Sequence, residues 1–127
     1  MRTRLAVSRV KVMAINTTVS RSKNQLMLSH LRTLRLSLDQ ARGALMHYKE
    51  DRIDRDKLEP AARRVDDLMN MFAASAPDRA QGLAWMSEIQ SGVGQVANPK
   101  AATALRAAGV EIEALLVVMK GVGQENA

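Results

Sequence analysis

The feature that most constrains the fold is an apolar heptad repeat in the first half of the chain. Its members follow one another at alternating steps of four and three residues, which is the 3.5-residue period of a helix that packs one stripe against a partner helix. The repeat predicts a long amphipathic helix from about Ser22 to Glu50. The residues of this stripe, which we call the seam, are Met27, Leu31, Leu34, Leu38, Ala41, Leu45 and Tyr48.

The residues beside the seam indicate how the long helix is used. Leu28 and Leu36 lie outside the seam and are predicted to widen its apolar face, which favours burial between several helices over a two-stranded coil. In a monomeric bundle, three shorter helices would have to cover the long helix. We therefore expect one end of the long helix to stay exposed and to bind a partner. The predicted helix-partner interface consists of Met27, Leu31, Leu34, Leu38, Leu45 and Tyr48.

A second and a third helix are predicted from turn residues and apolar spacing. Residues 50–59 form a charged connector, and Pro60 suits the first turn of the second helix because its missing amide proton is no loss there. Ser75, with Asp78 three residues further on, is a weak capping box for the third helix. The apolar face of the second helix consists of Val65, Leu68, Met69 and Phe72, and that of the third of Leu83, Met86, Ile89 and Val93.

The fourth helix completes an all-α prediction. Gly92 and Gly94 end the third helix, Asn98-Pro99 opens the fourth, and the fourth runs to Gly121. A chain of 127 residues is a common size for one domain. We predict a single helical domain over residues 22–127, a helical hairpin or an irregular four-helix bundle. The predicted apolar stripe of the fourth helix is Ala102, Leu105, Gly109, Ile112, Leu116 and Met119.

Charge is distributed unevenly along the chain. No acidic residue precedes Asp39, and residues 1–50 carry ten Lys and Arg against two acidic residues, whereas the remainder carries nine against eleven, for a net charge of +6. Residues 1–21 are predicted to be an extended, flexible basic arm. An excess of this kind suits a polyanion or an acidic partner. The candidate polyanion contacts are Arg21, Lys23, Arg32, Arg35 and Arg42.

The N-terminal composition leaves other interpretations open. Residues 1–37 are Arg-rich and free of acidic residues, a composition that resembles an organellar presequence. The apolar pattern that begins at Leu26, however, continues without a break past Ser37, as expected of a helix in the mature protein. Met13 is an alternative start that would remove four basic residues. The longest apolar run, residues 114–119, is far shorter than the roughly 20 residues of a membrane span. The expected location is the cytoplasm or the interior of a virion or similar assembly.

Few residues are candidates for chemistry. The chain has no cysteine and two histidines, His30 and His47, which lie too far apart on one helix to share a ligand. His47, Glu50 and Asp51 are spaced to face one metal ion from a single helical turn, but a carboxylate-bridged site requires a second such cluster. We therefore predict no catalytic residue, no metal site and no cofactor.

These observations favour a non-enzymatic structural or adaptor protein that acts through helix-helix association in a larger assembly, for example a small virion or secretion-apparatus component. A protein partner or self-association is expected. The alternative is a nucleic-acid-associated helical protein that binds the phosphate backbone through its basic N-terminal region. An enzyme ranks third, because no convergent set of titratable residues is evident.

Overall fold

A computed structural model describes the backbone of residues 2–74 and 77–121 and the side chains of residues 23–74 and 77–121. It confirms the all-α prediction, since this part of the chain contains four α-helices and no strand. The predicted flexible basic arm, residues 1–21, falls outside the described side chains and stays a prediction. The helices are α1 (Arg2–Ala44), α2 (Lys49–Ala73), α3 (Arg79–Gly94) and α4 (Ala102–Lys120), and a 3₁₀ turn (Pro99–Ala101) precedes α4.

The first and last helices lie antiparallel, side by side. Lys23 Nζ donates a hydrogen bond of 3.3 Å to the carbonyl oxygen of Gly121. Further along α1, His30 Nδ1 lies 2.7 Å from Glu111 Oε2. Because residue numbers rise along α1 while their partners fall along α4, the two helices run in opposite directions and in a defined register.

Helix α2 lies between α1 and α3 and joins both through arginine side chains. Arg35 Nε of α1 donates to Asp66 Oδ1 of α2 over 2.9 Å. Arg64 Nε of α2 lies 2.5 Å from Glu88 Oε2 of α3. Since α3 and α4 also pack against each other, the four helices form a closed ring around one core. This arrangement is the bundle alternative of the sequence prediction, and each helix contacts two neighbours.

One apolar cluster fills the bundle. The seam residues from Met27 to Leu45 are fully buried in it, together with Leu58, Val65, Leu68 and Phe72 of α2. Helix α4 buries Leu105, Ile112 and Met119 as predicted. Its other core positions are Ala108 and Leu115, whereas the predicted Gly109 and Leu116 are only half-buried. The stripe of α4 is thus rotated slightly towards α1, with which it shares the longer interface.

The end of the first helix differs from the prediction. Helix α1 ends at Ala44 rather than Glu50, a four-residue connection follows, and α2 begins at Lys49. The predicted charged connector over residues 50–59 is therefore helical. Glu50 and Asp51 occupy the first turn of α2, where carboxylates interact favourably with the helix dipole. Pro60 lies inside α2 rather than in its first turn, on an exposed position where its ring meets solvent.

The remaining helix ends follow the predicted turn chemistry with one change. Asp78 is itself the N-cap of α3, and its side chain accepts a hydrogen bond of 3.1 Å from the amide of Gln81. Ser75, the predicted cap, lies outside the described residues. Gly94 ends α3, and Asn98 caps the 3₁₀ turn that leads into α4, as predicted.

No helix in the described part of the chain is both long enough and apolar enough to span a bilayer.

Candidate functional site

The predicted helix-partner residues lie mainly inside the molecule. Met27, Leu31, Leu34, Leu38 and Leu45 are fully buried in the core, where α2 and α4 of the same chain cover them. The helix partners of the seam are therefore intramolecular in this structure. Tyr48 lies apart from them, exposed in the connection between α1 and α2.

Two of the predicted polyanion contacts are engaged by carboxylates. Arg35 bridges Asp39, four residues further along α1, and Asp66 of α2. Arg42 Nη1 lies 3.7 Å from Asp39 Oδ1, and its Nε is enclosed without a hydrogen-bond partner among the described residues. Both arginines are about three-quarters covered, and Arg35 joins α1 to α2 through Asp66, so neither projects as a free cation.

The other predicted contacts do not form a patch with them. Lys23 Nζ caps the C-terminal end of α4 through the Gly121 carbonyl oxygen, as a cation at a helix C-terminus should. Arg32 is exposed on the outer side of α1 and forms no ion pair with any described residue. The side chain of Arg21 lies outside the described part of the chain.

A polar cluster, which we call the brace, joins the start of α2 to the connection between α3 and α4. Asp51 is buried and accepts hydrogen bonds from Lys100 Nζ at 2.7 Å and from Asn98 Nδ2 at 2.9 Å. Asn98 also donates to Asp54 over 3.2 Å. Lys100 Nζ lies 4.1 Å from the centre of the Tyr48 ring, a cation-π distance.

The brace shifts the pKa values of Asp51 and Lys100. The Lys100 ammonium, followed by the Asn98 amide, lowers the pKa of Asp51 below its ordinary value. The Asp51 carboxylate in turn raises the pKa of Lys100. The two charged groups pair with each other within the cluster, so its evident role is to fix the bundle end.

The one-turn arrangement of His47, Glu50 and Asp51, which is not predicted from the sequence to be a metal site, is not assembled in the structure. His47 lies in the connection before α2, whereas Glu50 and Asp51 lie within α2, so the three residues do not share a helical turn. Within the described ranges, no three histidine, aspartate or glutamate side chains are grouped closely enough to hold a metal ion.

The most unusual surface is the outward side of the antiparallel pair α1 and α4. On α1, His30 faces α4, and Leu26 and Thr33 lie one turn to either side of it on the outward side. On α4, Glu111 faces α1 and is flanked in the same way by alanines. This surface, which we call the outer face, comprises Leu26, Ser29, Thr33, Leu36, Gln40 and Gly43 of α1 and Thr103, Ala107, Val110, Ala114 and Val117 of α4.

The residues of the outer face are uncharged although most of them are exposed. The paired side chains of His30 and Glu111, 28% and 20% exposed, lie at the junction between its two helices. It contains four of the seven large apolar side chains that are most exposed in the described chain: Leu26, Leu36, Val110 and Val117. Leu36 is 59% exposed and Val117 is 70% exposed, so the prediction that Leu36 widens the buried face of α1 is wrong. Helix α1 packs its seam inward and leaves Leu36 on the far side.

Charged residues border the outer face on both sides. Arg32 and Asp39 follow its edge on α1, and Arg106, Glu113 and Lys120 follow its edge on α4, all of them exposed. We call these residues the rim. Apart from the largely covered His30–Glu111 pair, the surface has uncharged residues inside a charged border, which is the anatomy of protein-protein interfaces.

Helix α2 presents the opposite kind of surface. Its first 15 residues expose a dense mixture of both charges and one large apolar side chain, Ile53, at 64%. Ion pairs of the i,i+3 and i,i+4 type run along it, such as Lys57 to Asp54 at 3.6 Å. The exposed charged residues are Lys49, Glu50, Arg52, Asp56, Lys57, Glu59 and Arg63.

Comparison with protein families, with curated proteins and with solved structures finds no match for this chain. The functional proposal therefore rests on the geometry of its surface.

Proposed function

We propose that this protein is a non-enzymatic structural or adaptor protein that acts through helix-helix association within a larger assembly. The observation that carries the proposal is the outer face, whose uncharged residues extend along two helices beside the His30–Glu111 pair and are bordered by charge. Monomeric proteins rarely expose large contiguous apolar patches, and those that do use them for binding. A small component of a virion or secretion apparatus is one example of such a protein.

Burial of the outer face would supply a substantial driving force. Val110 and Val117 lie seven residues apart on α4 and are 67% and 70% exposed. Complete burial of an aliphatic side chain of this size contributes about 1.5–3 kcal/mol relative to full exposure. Ala107 and Ala114, beside them on the same face, add apolar area at almost no side-chain entropy cost. Helix association therefore has a physical basis on this surface.

The non-enzymatic half of the proposal is supported by the way titratable groups are used. Asp51 and Lys100 pair with each other within the brace, and Arg64 is shared between Asp67 and Glu88. A surface depression lies beside Pro60 and Asp66, but it is open to solvent, and its Arg64 and Asp67 pair with each other. A second open depression contains Ser87 and Ser91 beside Glu88, but the Glu88 carboxylate pairs with Arg64 and not with either hydroxyl, whereas acyl or phosphoryl chemistry requires a nucleophile paired with a base.

Size distribution in native extract tests the proposal. An epitope-tagged full-length chain, expressed in its own cells, is expected to migrate on size-exclusion chromatography in a species larger than one chain. The combination Val110→Glu with Val117→Glu places two charges on the outer face and should shift the protein to smaller species. Ile53→Glu is the matched control, because Ile53 is equally exposed but lies on α2.

The result that would contradict the proposal is equally specific. If the double variant remains folded by circular dichroism and keeps the wild-type size distribution, the outer face does not mediate association. A shift caused equally by Ile53→Glu would assign the effect to general surface charge instead.

Binding of a phosphate backbone by the basic N-terminal region is the second candidate function. It is supported by the eight Lys and Arg residues that precede Asp39, the first acidic residue. Retardation of DNA and RNA in gels at two salt concentrations tests it, because contacts with phosphates release counterions and weaken steeply with salt. Absence of any shift at low salt removes this candidate.

A further inference from the structure

We propose that the occupant of the outer face is a second copy of this chain, related by a two-fold axis that runs parallel to the helices. In this dimer α1 of each copy lies antiparallel on α4 of the other. This inference rests on the proposed function and deepens it, because it names the partner. Two-fold dimers are the commonest protein oligomers, and their interfaces pair one surface with itself.

The order of charges on the rim is self-complementary in this arrangement. On α1, Arg32 is followed seven residues later by Asp39, and on α4, Arg106 is followed seven residues later by Glu113. Placed antiparallel, the two edges bring Arg32 beside Glu113 of the second copy and Asp39 beside its Arg106. A parallel placement would bring like charges together, so the charge order selects the antiparallel dimer.

The register within one chain sets the register between copies. Rotation about a two-fold axis parallel to the helices does not shift residues along the helices. Each residue of α4 in the second copy therefore lies level with the same residues of α1 as in its own chain, where Lys23 meets Gly121 and His30 meets Glu111. At 1.5 Å per residue, Arg32 then lies within about one helical turn of Glu113 in the second copy. Arginine and glutamate side chains readily span that offset.

The rim charges are available for such contacts. Arg32 and Glu113 form no ion pair with any described residue, and Arg106 donates only to the Ala102 carbonyl oxygen, over 3.4 Å. Asp39 is half exposed although it accepts a hydrogen bond from Arg35 and pairs with Arg42 on its own helix. The rim residues therefore lose few contacts within their own chain when two copies associate.

Side-chain sizes also match across the proposed interface. In the same register, Leu36 lies over Ala107 of the second copy, with Thr103 one turn further along α4, and Leu26 lies between its Ala114 and Val117. At Leu36 a large side chain on α1 thus meets smaller ones on α4, which lets the two helices approach closely without overlap. A pairing of α1 with α1 would instead bring leucines of the two copies together.

The size of the outer face suits a stable dimer. Helix α4 has 19 residues and is about 28 Å long. With α1 beside it, the face is about 20 Å wide, a projected area on the order of 600 Å². Its accessible area is larger because side chains roughen it, and stable interfaces use about 800 Å² per partner.

Sedimentation equilibrium of the purified full-length chain, combined with charge reversal on the rim, tests the dimer. Wild type is expected to fit a monomer-dimer equilibrium at micromolar concentration. Arg32→Glu and Glu113→Arg should each raise the dissociation constant about tenfold or more, because the symmetry converts two attractive pairs into two repulsive ones. The combined variant restores both pairs and should return to within about threefold of wild type. Arg63→Glu, on the exposed side of α2, is the control and should leave the constant unchanged.

Each outcome decides the question. A purified chain that is monomeric at tens of micromolar contradicts the proposed dimer. A chain that dimerises but is weakened by neither single charge reversal also contradicts it. A combined variant that stays as weak as the single ones overturns the antiparallel pairing. If the purified chain is monomeric while the outer-face variants still shift its size in native extract, the partner is a different protein and the proposed function stands without this inference.

Discussion

Lys100 and Asp51, 49 residues apart in sequence, form a direct ion pair of 2.7 Å that fastens the start of α2 to the turn before α4. The carboxyl group is buried, whereas the ammonium group remains half exposed and lies against the Tyr48 ring. This pair closes the end of the bundle opposite to the one at which Lys23 meets Gly121. It also gives the fold a defined dependence on pH.

Replacing the buried carboxyl group should therefore have a pH-dependent effect on stability. The Lys100 ammonium holds the pKa of Asp51 below the ordinary value of 3.8, so the unfolded state binds this proton more readily than the folded state. The stabilisation is present above that ordinary value and is lost as pH falls through the lower folded-state pKa. Asp51→Asn should lower the free energy of unfolding at about pH 6, and the deficit should shrink at about pH 3.

Urea unfolding of both proteins at the two pH values measures this deficit. Asp56→Asn is the control, because Asp56 is largely exposed and its one ion pair with a described residue is a 4.0 Å contact with Arg55. It should change the free energy of unfolding little at either pH. An Asp51→Asn deficit of the same size at both pH values would show that the charge of Asp51 is irrelevant.

Two glycines should respond in opposite ways to alanine. A Cβ atom at Gly92 would lie 3.2 Å from Ala61 Cβ and 3.4 Å from the Lys57 carbonyl oxygen, whereas one at Gly109 would have nothing within 4 Å. Gly109→Ala is expected to raise the free energy of unfolding by about 0.5–1 kcal/mol, since alanine is the better helix former. Gly92→Ala should lower it, because α2 and α3 must separate slightly. Thermal or urea unfolding measures both, and a stabilised Gly92→Ala would refute the close approach.

Two leucines only two residues apart on α1 should differ sharply in their contribution to stability. Leu34 is fully buried in the seam, whereas Leu36 is 59% exposed on the outer face. Leu34→Ala is expected to cost about 2–5 kcal/mol through lost burial and a residual cavity. Leu36→Ala should cost less than about 1 kcal/mol when unfolding is measured at concentrations low enough for a monomer. Equal costs would contradict the assignment of the two faces.

The heptad period predicted the core stripe of α1 well, because burial of one helix side leaves a direct mark on the sequence. The end of α1 has no comparable signal in the local sequence, because residues 45–48 contain neither glycine nor proline. The break between α1 and α2 is stabilised by the distant contacts of Asp51 with Asn98 and Lys100. Since those partners are more than 40 residues away, local sequence did not reveal them.

Part of the outer face could have been predicted from the sequence. Uncharged residues recur on α1 at the same period as the seam, and Val110 and Val117 repeat seven residues apart on α4. The sequence prediction missed this signal because it assigned Leu36 to the buried face. Only the packing of α1 beside α4 shows that the two uncharged stripes adjoin and form one surface.

Disulfide trapping tests the outer face as a self-association surface most directly, because the chain contains no cysteine that would interfere. The variant Leu36→Cys with Ala107→Cys places one thiol on each outer-face helix, at positions that meet between copies in the antiparallel dimer. The matched control is Ile53→Cys with Ala84→Cys, at exposed positions of α2 and α3.

Under mild oxidation at micromolar concentration, the first variant should run on a non-reducing gel as a covalent dimer of twice the 13.9 kDa chain mass. Each of its single-cysteine parents and the control should remain largely monomeric. A first variant that cross-links no faster than the control would contradict the outer face as a self-association surface.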